Sequence, residues 1–306
     1  MSKVVFIGTS DFGIPTLEYL KQNHDLLFVV TPPDKPAGRK KVLTASPVKM
    51  WAQLLGIKVL QPIKIEDEFE TLKNSGADVF IVGAFGQIIP QVVLDIPTKG
   101  SLNLHTSLLP KYRGASPIQN AIMNDDKETG ISVIVMDEKM DHGPILAQAS
   151  TKIEDFDTYP KLHAKLAVLA GKLLSETLPQ WLDGKIQPQE QNHEQATFVK
   201  LIKRDDARID WTQPARKIVQ KVKALNPEPG TWTTLENKSV KILEVEEVQD
   251  GRVELAGQIF ADGKNCIVKC GDYCVKLILL QPEGKNPISG SDFINGLKNF
   301  ETKVLA

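Results

Sequence analysis

Cysteine is scarce: the chain has three among its 306 residues, Cys266, Cys270 and Cys274, too few for a disulfide framework. Close clusters of thiolates also hold metals and iron–sulfur centres. In NCIVKCGDYCVKLILL, however, Gly271 and Asp272 read as a turn between two short strands, so the even spacing is expected to put the thiols on one sheet face as small apolar groups. Charge of one sign is lacking too. With 37 basic against 38 acidic residues the net charge is −1, and no overall field announces a nucleic-acid partner. Long apolar runs are missing: MSKVVFIGTSDFG has only a short one, and no later stretch would span a bilayer, so a soluble cytoplasmic protein without a membrane partner is expected. No convincing set of His, Cys and carboxylate ligands appears, and no metal is expected. GTSDFGIP follows a first strand, but it has neither the GxGxxG spacing nor the GxxxxGK[ST] lysine, which argues against a dinucleotide cofactor.

What is present is an ordinary globular composition, 42% hydrophobic and 25% charged, long enough for a substantial core and for one or two domains. VVFIG (4–8), LLFVV (26–30), IKVL (57–60), ADVFIVGAF (77–85), SLNLH (101–105) and ISVIVM (131–136) are β-rich apolar segments. Helix signals lie between several of them; Ser46, Pro47 and Gly56 stand in the order of N-cap, first turn and terminus. This alternation predicts a Rossmann-like, mostly parallel sheet covered by helices. Leucine and alanine at helical spacing predict a long helix over 158–184, with His163 on it as a packing residue. A polar stretch, KIQPQEQNHEQAT, then reads as a linker. One helix, PARKIVQKVKAL, and a series of close-turned strands follow, the pattern of a small OB-like β-barrel. The expected boundaries are 1–188, a linker over 189–205, and 206–306.

In SLNLH the alternation puts Leu102 and Leu104 on one face and Asn103 and His105 on the other. Ligands of an open α/β sheet gather beyond the carboxyl ends of its strands, where this pair would fall. After the next strand comes DEKMDHGPI, and a carboxylate from that loop could orient the imidazole. An amide donor, an imidazole and a carboxylate suit transfer of an acyl group to an amine, which needs no protein nucleophile. Asn103 and His105 would donate to the oxyanion, each such donor being worth about 3 to 4 kcal/mol, and Asp141 would hold His105 and help accept the amine proton. Taken alone, an NxH pair reads first as two satisfied polar groups on a partly exposed strand.

NLHTSLLPKYRGASPIQ followed by GISVIVMDEKMDHGPIL resembles the active-site signature of the 10-formyltetrahydrofolate-dependent formyltransferases. FIGTSDFG, TPPDKPAGRKKVLTASPVK, VFIVGAFGQIIP, NPEPGTW and LQPEGK extend the likeness over nearly the whole chain, toward the members that act on methionyl initiator tRNA. The resemblance implies that Asn103, His105 and Asp141 carry catalysis. It also implies that Ser107, Leu108, Leu109 and Pro110 form a turn lining a folate pocket, and that Phe85, Gly86, Gln87 and Ile88 lie along the pterin. Arg39, Lys40 and Lys41 would reach the acceptor stem of the tRNA, the 206–306 domain would add phosphate contacts, and the protein would act as a monomer. His142 is read as incidental. An amino-sugar nucleotide is the alternative acceptor, for which the basic PAGRKK insertion has no evident use; a non-catalytic RNA-binding module would not need the triad.

Overall fold

The computed structural model describes residues 1–37, 42–251 and 253–306, and the chain forms two compact units. The first comprises Met1–Pro117, Glu128–Lys152 and Lys161–Val199; the second comprises Ile118–Lys127, Ile153–Pro160 and Lys200–Ala306. The 189–205 stretch therefore divides at Val199, and its first part belongs to the body of the first unit.

The strands of the first unit are β1 (Lys3–Gly8), β2 (Asp25–Val30), β3 (Lys35–Ala37), β4 (Val42–Thr44), β5 (Val59–Leu60), β6 (Val79–Gly83), β7 (Ser101–His105), β8 (Arg113–Gly114), β9 (Glu128–Val135), β10 (Ile145–Lys152) and β11 (Phe198–Val199). Helices along the same stretch of chain are α1 (Ile14–Asn23), α2 (Pro47–Leu54), α3 (Phe69–Lys73), α4 (Gln91–Leu94), α5 (Pro117–Met123) and α6 (Tyr159–Leu182). Seven strands form one sheet in the order β10-β9-β7-β6-β1-β2-β5. The five from β7 to β5 run parallel, and β9 and β10 run antiparallel at one edge. Val4, Val5, Phe6 and Ile7 are all fully buried, as expected of a central parallel strand covered on both faces. Ser46 caps α2 by accepting from the Lys49 amide at 3.1 Å.

The second unit adds α7 (Ala215–Leu225), β12 (Trp232–Leu235), β13 (Lys238–Val248), β14 (Ile259–Asp262), β15 (Asn265–Lys269), β16 (Cys274–Pro282), β17 (Ile288–Ser289) and α8 (Gly290–Asn295). Its strands pair antiparallel along the path β12-β13-β16-β15-β14, with β17 on β16. The expected small β domain is this sheet, its core closed by Ile218, Val219 and Val222 of α7. The thiols correct one expectation. All three cysteines are buried and unpaired by disulfide, but Cys266 stands opposite Leu277 whereas Cys274 stands opposite Lys269. Opposed residues of an antiparallel pair share a face, so Cys274 lies on the face opposite to Cys266; the intervening turn broke the phase that the spacing suggested.

Three segments make up the second unit, and a charged cluster joins them. Arg216 of α7 holds Asp125 through Nη2 at 2.8 Å and Nε at 3.2 Å, and Asp155 through Nη2 at 3.0 Å. Among the described residues no helix is long and apolar enough to cross a membrane.

Candidate active site

The site is built on β7. Leu102 and Leu104 are buried in the sheet, and the alternation turns Asn103 and His105 together to the other face. Because β9 runs antiparallel to β7, with Val135 opposite Leu102 and Ser132 opposite His105, the loop 136–144 leaves at the amino end of β7. It turns back so that Asp141, at φ +50°, meets both side chains. Asn103 Nδ2 donates to Asp141 Oδ1 at 3.2 Å, and His105 Nδ1 lies 3.4 Å from the same oxygen. The second carboxylate oxygen accepts from the Gly114 amide at 2.8 Å. The His105 and Asp141 side chains are 6% and 12% exposed, a degree of burial at which hydrogen-bonded partners strongly constrain geometry.

The other imidazole nitrogen fixes part of the proton arrangement. His105 Nε2 lies 2.9 Å from the Tyr112 carbonyl oxygen; a carbonyl only accepts, so Nε2 carries a proton and donates. Nδ1 is left facing the carboxylate.

Residues 107–110 follow β7 directly and form a tightly tied turn. Ser132 Oγ donates to Ser107 O at 2.7 Å and accepts from the Leu109 amide at 3.0 Å, while Gln148 Nε2 donates to Leu109 O at 2.9 Å. Leu109 and Ser107 are buried, and Leu108 and Pro110 are partly open. Phe85, Gly86, Gln87 and Ile88 stand beyond the carboxyl end of β6, the strand paired with β7, so both sets occupy the same edge of the sheet. Phe85 is packed in the core and its carbonyl accepts from Thr9 Oγ1 at 2.9 Å; Gln87 donates to Ile63 O at 3.2 Å; Ile88 is 81% exposed. Arg39, Lys40 and Lys41 lie outside the described residues, between β3 and β4.

Sequence reasoning passed over the groups that brace Asp141. Arg113, 3% exposed, donates to Gln191 Oε1 through Nε at 3.1 Å and Nη2 at 2.6 Å, and Nη2 donates to His193 Nδ1 at 2.8 Å. Burial pulls the guanidinium below its ordinary value, and the Asp141 and Asp137 charges oppose that shift. His142, read as incidental, stacks on His193 at 4.1 Å and lies 2.6 Å from Asp137. Arg113 stood in view inside PKYRGASP. Gln191 and His193 sit in the polar stretch taken for a linker, and nothing local marks them. Among the described residues no group of three or more His, Cys, Asp or Glu could hold a metal ion.

With a mostly parallel sheet, an Asn–His pair at its carboxyl edge and an antiparallel β unit after it in the chain, the protein belongs to the formyl transferase family. Residues 2–178 match the formyl transferase family and residues 201–298 match the formyl transferase C-terminal domain. Over 303 residues it is 43% identical to the methionyl-tRNA formyltransferase of Bacillus thuringiensis (strain Al Hakam), covering 97% of this chain and 96% of that one. Among solved structures it is similar to HypX from Aquifex aeolicus in complex with tetrahydrofolic acid, with a TM-score of 0.67 and 15% identity over 96% of this chain, which spans 47% of the HypX chain. The N-formyltransferase from Helicobacter canadensis in complex with folinic acid and dTDP-3-aminofucose gives a TM-score of 0.66 and 20% identity, covering 92% of this chain and 100% of that one. At these identities the two structures share the fold with this chain.

Proposed function

We propose that the protein transfers a formyl group from 10-formyltetrahydrofolate to the α-amine of methionyl initiator tRNA. The observation that carries the chemistry is the convergence of Asn103 and His105 on one Asp141 oxygen, at 3.2 and 3.4 Å. The folate supplies the formyl carbon, and the chain's own residues manage charge and protons. One Asn103 amide hydrogen is used on Asp141, and the second is directed to the formyl oxygen as negative charge develops there. His105 adds a donor once Nε2 exchanges the Tyr112 carbonyl for that oxygen. A new C–N bond forms at the α-amine as the bond from the formyl carbon to the folate nitrogen breaks. One proton passes from the amine toward the leaving nitrogen through the His105–Asp141 pair or a water. A free α-amine titrates near pKa ~7.7–8.0, and esterification of the neighbouring carboxyl lowers it, so Asp141 need only be a modest base.

Recognition of the acceptor is assigned to Arg39, Lys40 and Lys41. Basic side chains beside a weak end pair of the acceptor stem would gain selectivity from the ease of opening that pair, and phosphate contacts from the second unit would orient the stem. The test is formyl transfer to charged initiator tRNA, with charged elongator methionine tRNA, an amino-sugar nucleotide and no acceptor run in parallel. Product on the initiator alone is expected; product on the sugar alone, or folate turnover without product, overturns the reading. Arg39→Ala is expected to weaken initiator-over-elongator discrimination more than folate affinity, and an equal loss on both tRNAs would remove the loop assignment.

A further inference from the structure

Asp141 is held at its side chain by Asn103 and Gly114, and its backbone sits in a loop at a left-handed angle that aspartate enters more readily than most non-glycine residues. Gln191 is the group that holds that backbone. Its Nε2 donates at once to Asp141 O at 2.9 Å and to Gly143 O at 2.7 Å, and its Oε1 accepts both Arg113 contacts. Rotating the amide by half a turn would set oxygen against two carbonyls and nitrogen against a guanidinium, so the chemistry of the neighbours assigns its orientation.

Gln191 is 5% exposed, and its own backbone is pinned on both sides. Before it, Gln189 exchanges two hydrogen bonds with Ile145 at 2.7 and 2.8 Å. After it, β11 pairs in parallel with β8, whose own Gly114 donates its amide to the Asp141 carboxylate. One side chain from a segment some fifty residues downstream thus ties the backbone of the Asp141 loop to the strand that binds its carboxylate.

We infer that Gln191, anchored by Arg113, is a positioning residue that fixes Asp141 against His105 and Asn103. This rests on the catalytic reading given under Proposed function. The informative variant is Gln191→Glu, which keeps the volume and both acceptor contacts to Arg113 but replaces the two donated hydrogen bonds with a carboxylate facing two carbonyls. Gln191→Leu removes both sets of contacts.

The experiment uses the full chain with labelled histidine, and reads the imidazole nitrogen resonances of His105 together with single-turnover formyl transfer. In Gln191→Glu the His105 Nδ1 resonance is expected to move in the direction seen in Asp141→Asn, while His24 and His163 stay in place. The transfer rate constant is expected to fall about 10- to 100-fold, the scale of a misplaced catalytic group, with KM for the folate unchanged. In an Asp141→Asn background the same substitution should cost almost nothing further, since residues acting as one unit are not additive. An unmoved His105 resonance, or a shift with an unchanged rate, overturns the inference. If the wild-type protein formylates no tRNA the functional reading fails, and the His105 resonance in Gln191→Glu still decides whether Gln191 positions the carboxylate.

Discussion

His105 spends one nitrogen on a carbonyl and turns the other to a carboxylate, so the imidazole is oriented from both ends before any substrate arrives. Asp141→Asn keeps the volume but must turn an NH2 group toward one of the two donors that now reach the carboxylate, the Asn103 amide or the Gly114 amide. Transfer is expected to fall about 10²- to 10⁴-fold, the range of a general acid–base contribution, with folate affinity retained; quench-flow assays and fluorescence titration check the two separately. The thiols supply a second prediction of this size. Burial pushes Cys266 and Cys270 up to about 12, and for Cys270 neighbouring Cys274 adds to the shift. Unfolded thiols ionise near pKa ~8.5, so above that pH the unfolded chain has lost protons that the native chain retains, and stability falls as pH rises toward 12. Urea midpoints measured at several alkaline pH values should decline less steeply in Cys266→Ala. At this scale the convergence of Asn103, His105 and Asp141 was legible, because strand alternation paired the first two and the DEKMDHGPI loop after the next strand offered a carboxylate. Gln191 was not: a glutamine in a polar stretch carries no periodicity, and its contacts are set by tertiary structure.

The strand–loop–strand unit of β9 and β10 carries Asp141, and Gly143 closes its loop. A Cβ at Gly143 would lie 1.8 Å from Val135 O and 3.0 Å from its carbon, both backbone atoms that no rotamer change can move. Gly143→Ala is therefore expected to displace the loop. Formyl transfer should be lost to nearly the extent seen in Asp141→Asn, with circular dichroism showing the sheet intact; near-wild-type transfer would mean that the loop absorbs the displacement. The elements themselves were largely readable, down to the Ser46 cap of α2 and the long α6. Strand direction was harder to read. Ile131, Val133 and Ile134 are as buried as the residues of parallel β6, and a strand covered on both faces gives the same apolar run whichever way it points. The cysteine phase failed for a related reason, since a turn resets the alternation that counting along the chain assumes.

Over the whole molecule a near-zero net charge conceals strong local pairing. Hydrogen bonding from Arg216 holds the Asp125 carboxyl below the usual range, despite the opposing effect of burial. A carboxyl lowered in the native state stabilises it above the unfolded pKa, near ~3.9, and this contribution vanishes as pH drops through the native value. Arg216→Gln is expected to cost on the order of 1 kcal/mol at pH 7 for the loss of the half-exposed Asp125 pair. The difference from wild type should close as the pH is lowered through the depressed native value of Asp125, measured by denaturant titration at each pH; a gap that persists once the carboxyl is protonated would assign the loss to packing. The two-part organisation was visible from the polar stretch after α6, but the segments 118–127 and 153–160 gave no sign of which unit they would join. Their placement affects how such a protein can be recombined. Any single crossover near residue 188 would send β11 and Gln191 away with one parent and leave Asp125 and Asp155 with the other, so a chimera joined there inherits neither half whole. Grafting a foreign second unit onto this sheet would require at least three coordinated exchanges along the chain.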